Sequence, residues 1–233
     1  MPSARLAPRP PPPVLRTGAV ALFDLDRTMV PGSSLARFGR AVVARGMVSR
    51  GVVRRHLARE AVFAARGLGG PAIERLSVSL LQLVSGRETA PLVSLAHEMG
   101  TGLAAEVYPG ARWLLEWHQE AGDVCVLVSA APQDLVDAVG RVLGFHSMVG
   151  TVPEVVDGRL TGRLAGALCH GRGKLVRLHE TVGHLELAGA TGYGDSGSDL
   201  PLLEACGHPV AVNPDRSLRR AAVARGWPIL RFC

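Results

Sequence analysis

The sequence predicts an α/β fold in which a parallel sheet is flanked by helices and a small helical cap follows the first strand. Short continuous apolar runs alternate with amphipathic helical patterns, an alternation that is typical of strands buried on both faces of a parallel sheet. Hydrophobic residues make up 47% of the 233 residues, which is enough to bury a sizeable core. A chain of this length fits one such domain and a smaller accessory domain.

The predicted strands are apolar runs that lead into polar residues. The four candidates are Ala19–Phe23, Val124–Val128, Leu187–Tyr193 and Pro209–Val212. Glycines flank a predicted hairpin at Val155–Leu164. Helical patterns are found at Ala111–Ala121, Gln133–Leu143, Lys174–Val182, Asp199–Cys206 and Ser217–Arg225.

Changes in composition along the chain predict its domain organisation. Residues 1–16 are rich in proline and arginine and are predicted to be a disordered tail. Residues 17–33 and 107–233 carry the strand–helix alternation and form the predicted catalytic core. The interval 34–106 interrupts that alternation, has apolar residues at helical spacing, and is predicted to be a helical cap.

Charge and cysteine content limit the classes of partner and compartment. The net charge is +6, but residues 35–68 carry eight arginines against Glu60 alone, so the basic excess is local. A basic segment can bind nucleic acid, yet only 4% of residues are aromatic, and we expect no nucleic-acid partner. The four cysteines lack metal-site or paired spacing, and no apolar run is long enough to span a membrane, so we expect a cytoplasmic protein.

Acidic and hydroxyl residues follow the predicted strands at the edge where parallel sheets bind ligands. Asp24, Asp26 and Thr28 follow the first strand, and Asp195 and Asp199 follow the third. Asp24 and Asp26 are two residues apart, so on extended backbone their side chains point to the same side. Carboxylates from separate strand ends suit a hard cation, and we predict a Mg²⁺ site.

Lysine use gives the sharpest single clue. Among the 26 basic residues only Lys174 is a lysine. A composition that prefers arginine so strongly is expected to keep lysine where a compact point charge is required, although a single lysine can also fall at a helix start by chance.

Together these segments resemble the haloacid dehalogenase superfamily, and within it the phosphoserine phosphatase-like branch. The superfamily pattern is Asp-x-Asp-x-Thr, a strand-end Ser or Thr, a Lys, and Gly-Asp-x-x-x-Asp. Phe23–Thr28, Ser129, Lys174 and Gly194–Asp199 match these in turn. The resemblance covers about residues 18–231 and implies a Rossmann-like core with the cap inserted after the first strand.

The resemblance also implies a role for each motif residue in phosphomonoester hydrolysis. Asp24 would attack phosphorus to form an aspartyl-phosphate, and Asp26 would protonate the leaving alkoxide and then activate water. Lys174 would offset negative charge at the site. The implied phosphate-binding residues are Thr28, Ser129, Ala130 and Lys174, and the implied Mg²⁺ site consists of Asp24, Asp26, Asp195 and Asp199.

The substrate is expected to be a small phosphorylated metabolite other than phosphoserine. Phosphoserine phosphatases carry an amine-binding Glu nine residues past the nucleophile, where this sequence has Ser33. Basic cap residues such as Arg37 and Arg40 suggest a second anionic group on the substrate. A phosphotransferase or phosphomutase, and a non-catalytic anion-binding regulator, remain alternatives on the same scaffold.

Overall fold

The computed structural model describes residues 19–49, 51–54, 78, 80–183 and 185–232. The predicted N-terminal tail and part of the predicted cap lie outside these residues. The strands are β1 (Val20–Phe23), β2 (Val124–Pro132), β3 (Ser147–Thr151), β4 (Pro153–Val156), β5 (Arg159–Leu164), β6 (Thr191–Gly194), β7 (His208–Val212) and β8 (Ile229–Leu230). The main helices are α1 (Ser34–Ala44), α2 (Ala90–Ala105), α3 (Pro109–Glu120), α4 (Gln133–Leu143), α5 (Gly173–Val182), α6 (Leu200–Ala205) and α7 (Arg216–Arg225), and residues 51–54 are also helical.

Within the described residues, six strands form one parallel sheet in the order β3-β2-β1-β6-β7-β8. In the register of the three central strands, Phe23 lies beside Leu127 of β2 and Tyr193 of β6. All three strands therefore end at the same edge of the sheet, which brings their following loops together. The predicted parallel α/β fold is confirmed.

Both faces of the sheet are covered because its central strands are apolar on both sides. Side chains alternate along β1, so that Phe23 packs with residues of α3 and α4 while Leu22 packs with residues of α5 and α6. Phe23 and Leu22 are almost completely buried. The helices consequently form a layer on each face, as the sequence pattern predicts.

The cap segment is partly described, and its last helix packs on the core. Gly100 of α2 lies so close to α4 that a Cβ atom on it would be 2.3 Å from the Cβ of Ala138. Just before α2, the cap segment also contacts the β4–β5 hairpin, where the amide of Gly86 donates to the carbonyl of Leu160 at 2.6 Å. The predicted division into core and cap stays a prediction, since α2 contacts both regions of the sequence.

Some local features differ from the sequence prediction. The predicted strand Leu187–Tyr193 divides into a short 3₁₀ turn at Leu187–Gly189 and strand β6, because the 3₁₀ turn leads the chain into the sheet at Thr191. Strands β3 and β8 are short edge-side strands without a distinct apolar run, and the sequence analysis did not identify them. No helix within the described residues is both long and apolar enough to cross a membrane.

Candidate active site

Asp24 occupies the first position after β1, at the centre of the sheet's carboxyl edge. Its backbone N–H donates to the carbonyl of Tyr193 at 2.9 Å, which continues the β1–β6 ladder by one residue. The neighbouring Leu25 is fully buried and anchors the following turn. Asp24 is therefore held in a defined position, and only 6% of it is exposed.

Lys174 bridges two carboxylates from different loops. It lies in the first turn of α5, and its Nζ is 2.5 Å from Asp24 Oδ1 and 2.6 Å from Asp199 Oδ1. Burial disfavours the charged amine, but Asp199 and Asp24 outweigh this effect and raise the pKa of Lys174 above its ordinary value. The only lysine of the sequence is thus a buried cation between two carboxylates.

Asp199 is saturated with hydrogen bonds on both of its oxygens. Oδ1 accepts from Lys174, while Oδ2 accepts from the amides of Asp195 and Ser196 at 3.1 and 3.0 Å and from the Ser196 hydroxyl. Burial favours the neutral acid, yet Lys174 and these donors hold the pKa of Asp199 below its ordinary value. Asp199 is consequently a fixed anion that orients Lys174 and the loop after β6.

The pKa values of Asp24 and Asp195 are raised, in contrast to that of Asp199. Burial raises the pKa of Asp24 to about 7, with Lys174 opposing and the neighbouring carboxylates adding to the effect. Burial, followed by Asp24 and Asp199, raises the pKa of Asp195 to about 8. Both shifts arise mainly because burial disfavours the charged carboxylates, and the neighbouring carboxylates add to this effect.

Arg27 is a site residue that the sequence analysis missed. Its Nε lies 2.6 Å from Asp195 Oδ2, and its side chain is about half exposed. The residue has a positive φ of 58°, at the apex of the turn between Asp26 and Thr28. It occupies a variable position in the motif, and only the tertiary structure places it beside an acid from another strand.

The acidic cluster fits a divalent metal ion. Carboxylate oxygens of Asp24, Asp195 and Asp199 lie within 4.8 Å of one another. Asp24 Oδ2 is buried and has no hydrogen-bond partner among the described residues. A buried, unpartnered carboxylate oxygen beside further carboxylates is the donor set that a hard cation requires.

Asp26 and Thr28 lie on the same turn as Asp24. Asp26 is half-buried, and its Oδ1 accepts the backbone N–H of Ser34 at 2.8 Å, which holds the carboxyl group towards the start of α1. Thr28 is buried, and its hydroxyl has no hydrogen-bond partner among the described residues. The turn therefore presents one carboxylate that water can reach and one unpartnered hydroxyl.

Ser129 and Ala130 lie within β2 rather than after it. The strand continues to Pro132, with an irregular register against β3 between Val128 and Pro132. Strand β2 therefore extends past Ser129, where the sequence predicted its end. The buried Ser129 hydroxyl accepts the amide of Ala131 at 3.2 Å, and a hydroxyl can still donate its own hydrogen.

Ser33, Arg37 and Arg40, which were predicted to contact the substrate, lie at or near the start of the cap segment. Ser33 is the N-cap of α1, where its hydroxyl accepts the amide of Ala36. Arg37 donates to Glu106 at 2.7 Å and to the carbonyl of Pro31 at 2.8 Å. Arg40 is exposed. The proposed roles of these three residues in binding substrate stay predictions.

Comparison with known proteins places these observations in a family. Residues 21–204 match the family described as haloacid dehalogenase-like hydrolase. Phosphoserine phosphatase SerB1 of Mycobacterium tuberculosis is 38% identical over 225 residues, which cover 95% of this chain and 73% of the relative. Histidinol-phosphatase of Neisseria meningitidis is 30% identical over 220 residues, which cover 91% and 98%. The crystal structure of a protein of unknown function from Bordetella pertussis Tohama I superposes with a TM-score of 0.79 at 31% identity, covering 92% of this chain and 99% of that one.

Proposed function

The chain belongs to the haloacid dehalogenase-like hydrolase family and is a phosphatase, and we propose that it hydrolyses a small phosphomonoester through an aspartyl-phosphate on Asp24 with Mg²⁺ as cofactor. The observation that carries the proposal is the Asp24–Lys174–Asp199 bridge at the carboxyl edge of the sheet. It places a buried carboxylate beside a fixed cation, with the second oxygen of Asp24 left without a partner among the described residues.

A purely structural ion pair explains this arrangement less well. Burying charged groups costs free energy that their mutual attraction often fails to recover. Here the described residues also leave Asp24 and Asp195 with raised pKa values, so the cluster is not optimised for stability. Perturbed acids at the ligand-binding edge of a sheet favour a chemical role.

Asp24 and Asp195 are the residues that would hold the metal ion through their side chains, and Asp26 would contribute its backbone carbonyl. Asp199 would act beside them, because both of its oxygens already accept hydrogen bonds. When bound, Mg²⁺ supplies positive charge that neutralises phosphoryl oxygens. The buried, acidic setting agrees with this donor set.

Asp24 and Asp26 divide the reaction between nucleophile and proton carrier. Asp24 attacks phosphorus as the ester oxygen departs, and Asp26 gives that oxygen its proton. Asp26 then takes a proton from water, which attacks the aspartyl-phosphate and releases phosphate and the Asp24 carboxylate. The hydrogen bond from Ser34 to Asp26 Oδ1 holds the proton carrier, and its partial exposure allows water to reach it.

The remaining groups would bind the phosphoryl oxygens. Lys174 offers a buried positive charge at Asp24, and the hydroxyls of Thr28 and Ser129 offer hydrogen atoms. The backbone N–H of Ala130 adds a further donor in our proposal. Prepositioned donors of this kind stabilise charge that develops in the transition state.

The expected substrate class depends on the residues at the start of α1, beside the proposed active site. Ser33 caps α1 where an amine-binding Glu would be needed for phosphoserine, and Arg37 is engaged by Glu106 and Pro31. We therefore expect phosphoserine to be a poor substrate. The relative named histidinol-phosphatase makes histidinol phosphate a necessary member of any substrate panel.

The test is phosphate release from a panel of small phosphomonoesters, including phosphoserine and histidinol phosphate, with Mg²⁺ or with a chelator. We expect Mg²⁺-dependent release, which Asp24→Asn lowers by at least about 10³-fold because it removes the nucleophile. Asp157→Asn is the matched control, since Asp157 is exposed on the β4–β5 turn. Full activity in Asp24→Asn would contradict the proposed mechanism, and phosphoserine as the best substrate would contradict the proposed substrate class.

A further inference from the structure

The turn formed by residues 24–30 carries three of the proposed catalytic and phosphate-binding groups, and we call it the catalytic turn. Within it, the amide of Met29 donates to the carbonyl of Leu25 at 2.9 Å, and the amide of Arg27 donates to the carbonyl of Val30 at 2.7 Å. These bonds close the turn on itself. The carbonyl of Arg27, at the left-handed apex, instead faces another part of the chain.

Asn213 is the residue that meets this carbonyl. It follows β7 and is 186 residues away in sequence, and its Nδ2 donates to the carbonyl of Arg27 at 2.8 Å. Its Oδ1 accepts the amide of Phe232 at 2.8 Å, and its own amide donates to the carbonyl of Leu230. The side chain therefore connects the catalytic turn to the segment that contains β8.

Both the backbone conformation and the hydrogen bonds at position 213 favour asparagine. Asn213 has a positive φ of 44°, a conformation that asparagine tolerates better than most residues. It is the only asparagine in the sequence. Both polar atoms of its side-chain amide are used, the nitrogen as donor and the oxygen as acceptor, so neither aspartate nor leucine could make the same pair of bonds.

Asp215, two residues further on, supports the second acidic loop. Its amide donates to the carbonyl of Asp195 at 2.7 Å, and its Oδ2 accepts the amide of Gly197 at 3.2 Å. Its Oδ1 caps α7 through the amide of Leu218. The junction between β7 and α7 thus contacts the loop of Asp24 through Asn213 and the loop of Asp195 through Asp215.

We propose that Asn213 is a positioning residue that fixes the catalytic turn relative to the Asp195 loop, through its hydrogen bond to the carbonyl of Arg27. The inference rests on the proposed function, because those two loops supply the groups that would bind Mg²⁺. Asn213 acts through the backbone of the catalytic turn, since among the described residues it bonds to backbone groups of Arg27, Leu230 and Phe232. Loss of supporting contacts of this kind typically costs about 10–100-fold in metal affinity or activity.

Two substitutions separate this role from general stability. Asn213→Asp keeps an acceptor for the amide of Phe232 but sets a carboxylate oxygen against the carbonyl of Arg27. Asn213→Gly keeps the left-handed backbone and removes both side-chain bonds. A defect shared by both variants is therefore assigned to the bond with Arg27.

The primary measurement is amide hydrogen exchange over residues 24–30, with α4 as the internal reference. We expect faster exchange in the catalytic turn of both variants and unchanged exchange in α4. Calorimetric titration should show Mg²⁺ binding weakened about 10–100-fold, and kcat should fall more than KM changes. Thermal unfolding of each variant shows whether the native fold is retained.

Wild-type exchange in the catalytic turn of both variants would overturn the proposal, as would wild-type Mg²⁺ affinity in both. The exchange measurement does not depend on catalysis. If the wild-type protein releases no phosphate from any ester, the proposed function fails, while hydrogen exchange still decides the role of Asn213.

Discussion

His118 is a buried histidine in which both ring nitrogens have partners. Its Nδ1 lies 2.8 Å from Asp123 Oδ2 and its Nε2 lies 2.9 Å from the Tyr193 hydroxyl. A carboxylate only accepts, so Nδ1 carries the proton, and the neutral Nε2 accepts from Tyr193. Tyr193 stacks on Phe23, the residue before Asp24, with ring centroids 4.6 Å apart. This residue network supports the strand that presents the nucleophile.

The His118 ring is expected to take up its second proton at a lower pH than an unperturbed histidine does, because its pKa is lowered. Burial lowers the pKa of His118, and the hydrogen bond to Asp123 opposes the shift only in part. The unfolded chain therefore binds this proton at higher pH than the folded protein does, and the stability that His118 contributes is lost as the pH falls below about 6.5. Nitrogen-15 NMR of the ring checks the charge state. A His118 ring that takes up its second proton at or above the ordinary histidine pKa of about 6.5 would contradict the prediction.

Helix α2 packs closely on α4 at one residue, Gly100. Gly100 meets the backbone and Cβ of Ala138 in α4, whereas Gly102 of the same helix has open space where its Cβ would be. Helical propensity alone favours alanine over glycine at both positions. Alanine substitutions at the two positions therefore distinguish the effect of helical propensity on stability from the effect of packing between α2 and α4.

Gly100→Ala is expected to destabilise the protein by about 1–3 kcal/mol, because the added methyl forces α2 and α4 apart. Gly102→Ala is the matched control and is expected to stabilise it by about 0.5–1 kcal/mol. Denaturant unfolding measures both free energies. Stabilisation by Gly100→Ala would show that α2 does not pack on α4 as described.

At the scale of the whole molecule, the acidic cluster links folding to metal binding. The folded protein brings Asp24, Asp195 and Asp199 together, whereas the unfolded chain separates them. Mg²⁺ that binds only the folded state stabilises it by about 2.7 kcal/mol at 100 times its dissociation constant. Without the ion, the carboxylates of Asp24 and Asp195 lower stability, mainly because burial disfavours their charged forms and secondarily because they repel neighbouring carboxylates.

The substitution Asp195→Asn is expected to raise stability without Mg²⁺ and to reduce the stabilisation that Mg²⁺ provides. With a chelator at pH 8, the variant is expected to be about 1–2 kcal/mol more stable than the wild type, because it removes a buried charge. The excess should shrink at pH 5, since the raised pKa of Asp195, about 8, leaves that carboxyl largely protonated in the folded wild type. Thermal unfolding with and without Mg²⁺ tests both points. Equal Mg²⁺ stabilisation of variant and wild type would remove Asp195 from the proposed metal site.

The family and the main elements could be predicted from local sequence. Apolar runs identified the central strands, and the helix Gln133–Leu143 was predicted with the same limits that α4 has. The motif residues around Asp24, Lys174 and Asp195 identified the family, which the comparisons confirm. Strand burial and helical periodicity depend on residues close together in the chain, and each motif is a short segment whose order along the chain can be read directly.

Only the tertiary structure decided which distant groups meet. The contacts of Arg27 with Asp195, of Asn213 with the carbonyl of Arg27, and of His118 with Tyr193 join residues far apart in sequence. Such pairs follow from strand order and from the way helices dock on the sheet, and neither is encoded in the spacing of a motif. Strands β3 and β8 likewise depend on the sheet they join, because their short segments acquire strand structure through hydrogen bonds to β2 and β7. The sequence by itself thus determined the type of fold and the acids of the site, whereas docking of the sheet, helices and loops decided how those acids are paired and supported.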